Sequence, residues 1–181
     1  IVAGISGAGR TGTAQDVATG LAINLGVRDV TVCSDAHMLS WANLNERYPV
    51  LVIAGTGSVV ITRRRDGSRV ITGGYGPILG DDGSAHRVAI EGIRRADENS
   101  ELQKELLREV GLDSLPQLYQ RMAWSKPSEV AALASVVTRL AEHGNPGAVA
   151  AVRDQAEKLA VLARRGIDRA DSGDIVHSKP C

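Results

Sequence analysis

The sequence predicts an α/β fold with a helical C-terminal half, on three observations. Short β-branched runs separated by glycine alternate with helical spacing as far as Ala54. Two further β-rich runs flank Asp66-Gly67, the strongest kind of short hairpin signal. From Ala85 onward, apolar residues recur at helical intervals almost to the end of the 181-residue chain.

Taken in order, Ile1 to Ser6 reads as a strand closed by Gly7-Ala8-Gly9, and Val17, Leu21 and Leu25 as one face of a helix that Gly26 stops. Val30 to Cys33 has the make-up of a buried parallel strand, ending at Ser34-Asp35. A short helix is expected over Ala36 to Asn43, after which Pro49 releases the chain into Val50 to Ala54, another buried strand. Ser58 to Thr62 and Arg69 to Thr72 form the arms of an antiparallel hairpin. The arginines Arg63, Arg64 and Arg65 at its tip read as solvated charge that protects an edge, rather than as a phosphate or nucleic-acid patch. Gly73 to Ser84 holds too many glycines for an ordinary connection. Ala85, Val88, Ala89 and Ile93 share the face of a helix whose start Asp82 and Ser84 mark. Further helices carry Leu102, Leu106 and Leu107, then Leu115 and Leu118, then Val130 to Leu140. Asn145-Pro146 opens a last helix toward Gly166, and the tail from Asp168 to Cys181 is expected to be loose.

Composition narrows the function. Lysine and arginine number 21 against 21 aspartates and glutamates, so the formal net charge is zero and the basic excess that nucleic-acid binding draws on is missing. With no Phe and 3% aromatic residues, stacking platforms for single strands are not expected either. No apolar stretch approaches the roughly 18 residues of a membrane span, and Cys33 and Cys181 supply neither a disulfide framework nor a thiolate metal site. The expectation is a soluble cytoplasmic protein with no nucleic-acid or membrane partner. The chain opens at Ile1 already inside an apolar run, as if residues upstream were missing.

Four motifs carry chemistry. Gly7-Ala8-Gly9-Arg10-Thr11-Gly12 spells a dinucleotide fingerprint, but Arg10 and Thr11 are bulky for it and the later hairpin interrupts the expected repeat of helices and parallel strands. Gly55-Thr56-Gly57-Ser58 joins two strands in a turn whose backbone N–H groups are open to an anion, with a hydroxyl beside them. Gly80-Asp81-Asp82-Gly83-Ser84 places two carboxylates at a helix start. Capping needs one of them, so the other is available for hydroxyls or a metal, and Gly74-Tyr75-Gly76 adds bare backbone and one ring. Asp35 sits at the carboxyl end of its strand, where open α/β sheets hold ligands, and beside a phosphate-type turn it is a candidate general base. His37, His86, His143 and His177 share no ligand spacing and read as surface or capping residues, while Cys33 reads as a small buried hydrophobe.

Together these residues resemble the N-acetylglucosamine kinases and the BadF/BadG/BcrA/BcrD-type ATPases of the actin-like, sugar kinase and Hsp70 ATPase superfamily. The resemblance runs from Ile5-Ser6-Gly7-Ala8-Gly9 through Asp35, Val52 to Ser58, Asp66-Gly67-Ser68, Gly73 to Gly76 and Gly80 to Ala85, and reaches the helices around Ala131 and Gly144-Asn145-Pro146. It implies a two-lobed, RNase H-like kinase that takes ATP, Mg²⁺ and a hexose or amino sugar, N-acetylglucosamine above all. In it Asp35 contacts the sugar and takes the proton of the attacked hydroxyl. Gly55, Thr56 and Gly57 face ATP. Ser58, Val59, Gly74, Tyr75, Gly76 and Asp81 contact the sugar, although Val59 replaces a side chain that can be polar in relatives.

The implied organisation is the remainder of an N-terminal lobe over 1–48, a C-terminal lobe over 49–165 and a tail over 166–181. A homodimer is compatible with it. The family's first phosphate turn and its adenosine-binding Gly-Gly segment have no counterpart, so the fold is expected to be incomplete at both ends and these residues alone to bind ATP poorly. Two readings compete with the kinase. One is an ATPase activator of a 2-hydroxyacyl-CoA dehydratase-type enzyme, which would need paired cysteines for an iron–sulfur cluster. The other is a non-catalytic dinucleotide- or sugar-binding module.

Overall fold

A computed structural model describes residues 2–4, 18–19, 22–23, 26, 28, 30–33, 39–40, 44–45 and 49–172. Among the described residues, the elements with defined bounds are β1 (Val2–Gly4), β2 (Thr31–Cys33), β3 (Val50–Ala54), β4 (Ser58–Arg63) and β5 (Arg69–Gly73), followed by seven helices. These are α1 (Gly76–Leu79), α2 (Ala85–Arg94), α3 (Glu101–Val110), α4 (Leu115–Trp124), α5 (Pro127–Ala132), α6 (Ala134–Glu142) and α7 (Pro146–Asp171). The α/β class and the helical second half are as the sequence predicts.

The chain divides into two compact units, one of residues 1–51, 61–71 and 167–181, the other of 52–60 and 72–166. In the first, β1 and β2 pair in parallel with Val2 opposite Thr31 and Gly4 opposite Cys33. Val32 and Cys33 are buried, as a β-branched strand between covered faces requires. The hairpin tip is closed by Arg64 N–H on Ser68 C=O at 2.8 Å and by the Asp66 carboxylate, which accepts from both the N–H and the hydroxyl of Ser68. Those two bonds hold the Asp66 carboxyl below its ordinary pKa. Arg65 and Asp66 are exposed, in keeping with solvated charge at the tip.

The second unit is built on helices. Ala89, Ile93, Leu102, Leu106, Leu118, Val130, Val136, Val137, Leu140, Ala148 and Ala151 form one buried cluster drawn from α2 to α7. The helix ends follow the sequence: Ser84 and Ser100 accept the N–H groups of Arg87 and Gln103, Gly111 ends α3 at φ 67°, and Asn145 caps α7 through Ala148 N–H at 3.1 Å. Pro116, Pro127 and Pro146 each sit in a first turn, where a missing N–H costs nothing.

Two expectations need correction. Val50 to Ala54 is not another buried strand: β3 is the edge of a sheet ordered β3-β4-β5, and Val52 is 42% exposed. The pairing is antiparallel, since Arg63 N–H to Pro49 C=O and Gly55 N–H to Gly57 C=O conserve the sum of residue numbers. An apolar run cannot by itself say whether both faces will be covered. The last helix also does not stop at Gly166. That glycine is buried inside α7, which continues to Asp171 because nothing in Gly166-Ile167-Asp168 forces a left-handed residue. The fingerprint Gly7 to Gly12, the helix start at Ala36 and the tail beyond Ser172 lie outside the described residues.

Candidate functional site

The site begins with the glycine-flanked turn between β3 and β4. Gly55 donates to Gly57 C=O across the β3–β4 turn at 2.8 Å, and Gly55 C=O accepts Ala85 N–H, the first residue of α2, at 2.8 Å. The turn is thereby fixed to a helix start. A Cβ placed on Gly55 would meet nothing within 4 Å, and Gly55 and Thr56 are exposed, so an anion can approach the turn although the Gly55 N–H is already engaged by Gly57 C=O.

The loop before α2 closes onto this turn. Asp81, 7% exposed, adopts φ 60°, a left-handed conformation that Asp tolerates better than most residues. Its Oδ1 accepts Ser58 N–H at 3.2 Å, while Ser58 Oγ donates to Asp82 C=O at 2.7 Å. A Cβ on Gly57 would lie 2.9 Å from Asp81 Oδ2, so a glycine is what lets the carboxylate reach the turn. Gly74 N–H donates to Ser58 C=O at 3.0 Å, and a Cβ on Gly74 would face Val59 Cγ2 at 3.6 Å. Gly80 N–H returns to Gly76 C=O, closing α1, which leaves Tyr75, Ile78 and Leu79 largely exposed.

Nine of the ten sequence-predicted site residues, Gly55, Thr56, Gly57, Ser58, Val59, Gly74, Tyr75, Gly76 and Asp81, therefore occupy one unit. Direct bonds or close packing join Gly57, Ser58, Val59, Gly74 and Asp81, and Thr56 and Tyr75 follow as chain neighbours. The tenth, Asp35, lies outside the described residues. Neither Asp81 nor Asp82 supplies the α2 cap: Ser84, fully buried, does so through Arg87 N–H at 3.3 Å. The Asp81 carboxylate keeps lone pairs beyond the one used by Ser58.

Sequence reading missed three supports of this loop. Arg87 donates Nε to Gly80 C=O at 3.0 Å and Nη2 to Ile78 C=O at 3.2 Å. Gln155 on α7, 2% exposed, accepts Gly83 N–H at 3.0 Å. Leu159 and Leu162, one and two turns further along α7, stand 2.5 and 2.9 Å from where Cβ atoms on Gly83 and Gly73 would be. The signal for Gln155 was present: it stands on the stripe of Leu159 and Leu162 at i−4 and i−7, where an apolar residue belongs. His86 is likewise not a plain surface residue, since its Nδ1 is buried without a hydrogen-bond partner among the described residues and burial of the ring, then Arg87, lowers its pKa.

Among solved structures, the chain matches ones of the actin-like ATPase fold. It matches one from Porphyromonas gingivalis, provisionally named an N-acetylglucosamine kinase, at TM-score 0.69 and 21% identity over 94% of this chain and 61% of that one. Another of the same provisional name, from Chromobacterium violaceum, gives TM-score 0.66 and 23% identity over 77% of this chain and 51% of that one. The sequence model of the BadF/BadG/BcrA/BcrD ATPase family matches residues 1–176, and the chain belongs to that family. A curated relative, the N-acetylmuramic acid/N-acetylglucosamine kinase of Clostridium acetobutylicum, is 34% identical over 67 residues, 37% of this chain and 22% of the relative. The chain thus spans under two thirds of each of these proteins. Among the described residues, no helix is long and apolar enough to cross a membrane.

Proposed function

We propose that this protein phosphorylates a hexose or amino sugar with ATP, with N-acetylglucosamine as the first acceptor to test. The observation that carries the reading is the bond between the Asp81 carboxylate and Ser58 N–H, which ties a phosphate-type turn to a hydroxyl-binding loop in one unit of an ATPase-family chain. In the proposed reaction the peptide groups of Gly55, Thr56 and Gly57 line the phosphates. Gly74, Tyr75, Gly76, Ser58, Val59 and Asp81 orient the sugar. Asp35 accepts the proton of the attacking hydroxyl as its oxygen bonds to the terminal phosphorus and the bond to ADP breaks. Bound Mg²⁺ would neutralise charge on the phosphate oxygens. Little covalent chemistry is asked of the protein beyond positioning and one oriented carboxylate. A cytoplasmic location and a homodimer belong to the same proposal.

A coupled ADP-release assay of the full-length protein over a panel of sugars tests it. Asp35→Asn should lower turnover about a thousandfold, as loss of a general base does, while equilibrium sugar binding persists. Retained turnover would move the base elsewhere. The family's name is that of an ATPase, which keeps the activator reading as the second candidate. An iron–sulfur absorbance in anaerobically purified protein, with no sugar phosphorylated, would favour it over the kinase.

A further inference from the structure

We propose that Gln155 is a positioning residue for the acceptor, holding the Gly80-to-Ser84 loop on α7 so that the Asp81 carboxylate meets both Ser58 and the sugar. The inference rests on the kinase reading and extends it to a helix that carries none of the proposed substrate contacts.

A primary amide 2% exposed on an apolar helix face is costly unless every polar atom is satisfied. Here both ends are, and their order is fixed. Nε2 donates to Asp154 Oδ2 at 3.0 Å, and the carboxylate can only accept, so the amide cannot flip and Oε1 must face Gly83 N–H at 3.0 Å. Asp154 is itself held by Lys158 Nζ at 2.9 Å, which with Gln155 keeps its carboxyl below its ordinary pKa and hence ionised. The amide is oriented from behind, as a group with a positional task is.

The loop at its other end has little freedom. Gly83 has φ 77°, and a Cβ there would stand 2.5 Å from Leu159 Cβ and 3.0 Å from Gln155 C=O, so backbone lies directly on helix. Two residues back along the chain, Asp81 reaches Ser58 N–H, and the intervening Asp82 C=O accepts Ser58 Oγ. Removing Oε1 would leave the half-buried Gly83 N–H, packed against Leu159, without that acceptor. The loop would then lift toward water and carry Asp81 with it.

The test uses Gln155→Leu, which keeps the volume and removes both bonds, in the full-length protein. The acceptor KM should rise about tenfold while kcat and the ATP KM stay within about twofold, because the lost interaction orients the sugar rather than the reacting phosphoryl group. Gln155→Glu alone should also raise it, by placing two carboxylates side by side. Asp154→Asn combined with Gln155→Glu restores a donor facing an acceptor and should return the acceptor KM to within about threefold of wild type. Without substrates, Gly83 amide exchange should quicken about tenfold in Gln155→Leu, with α3 and α6 amides unchanged. An unchanged Gly83 exchange rate, an unmoved acceptor KM, or a double variant worse than either single one would overturn the positioning role in an active kinase. A wild-type protein that phosphorylates no sugar would instead remove the kinase reading, and the acceptor role with it, whatever Gly83 does.

Discussion

Gly83 excludes a side chain on two separate grounds, its positive φ of 77° and the 2.5 Å that would separate a Cβ from Leu159. Gly83→Ala should therefore destabilise the fold by about 3 kcal/mol, the left-handed backbone and the overpacking each contributing, and this is read from the denaturant midpoint at unchanged slope. A neutral result would mean that α7 can retreat. His86 makes a different prediction at the same scale. Burial and Arg87 lower its pKa below the ordinary 6.5, against the opposing pull of Asp81, so the folded protein binds this proton less readily than the unfolded chain. The stability due to the neutral ring is complete above pH 6.5 and lost as pH falls through the lower folded value. In urea titrations below that pH, the midpoint of His86→Leu should fall less than that of wild type. Parallel curves would show that the imidazole titrates in the fold as it does outside it.

Among elements, α2 packs on α6 where a Cβ on Gly92 would stand 2.4 Å from Val137 Cγ2. Gly92→Ala should cost about 2 kcal/mol despite the better helix propensity of alanine, and Val137→Ala in the same chain should recover most of that loss. Additive losses would show that the two residues do not compete for the same space. Gly92 also marks the limit of sequence reading. Helices, caps and hairpins were legible because each is written in neighbours: Ser84 before Ala85, Asn145 before Pro146, Asp66 before Gly67. The glycines of the candidate site were legible as a set for the same reason. What they touch was not. That Gly57 makes room for Asp81, Gly83 for Leu159 and Gly92 for Val137 depends on contacts 24, 76 and 45 positions apart in the chain. β3 was misjudged on the same account, since its apolar run says nothing of whether a third layer covers it.

At the scale of the whole molecule, most of the buried apolar residues among those described fall into two sets that follow the two units. Ala18, Val32, Cys33, Leu44, Ile61 and Val70 belong to one unit, and the cluster from Ala89 to Ala151 belongs to the other. If each set is the cohesive element of its unit, a cavity in one should loosen that unit as a body. Leu106 is fully buried at the heart of the helical cluster, and Leu106→Ala should cost about 3 kcal/mol in lost transfer energy and unfilled volume. Native-state hydrogen exchange reads where that cost appears. The slowest amides of α2, α3 and α6 should all quicken by one common factor, because the cluster they share opens together, while those of Val32 and Cys33 keep their wild-type rates. Quickening of Val32 and Cys33 by the same factor would make the chain a single cooperative body. An effect confined to α3 would make the cluster a set of separately opening helices. The first outcome would also mean that the turn at Gly55 to Gly57 and the loop at Asp81 rise and fall in stability together, since both are anchored to the start of α2.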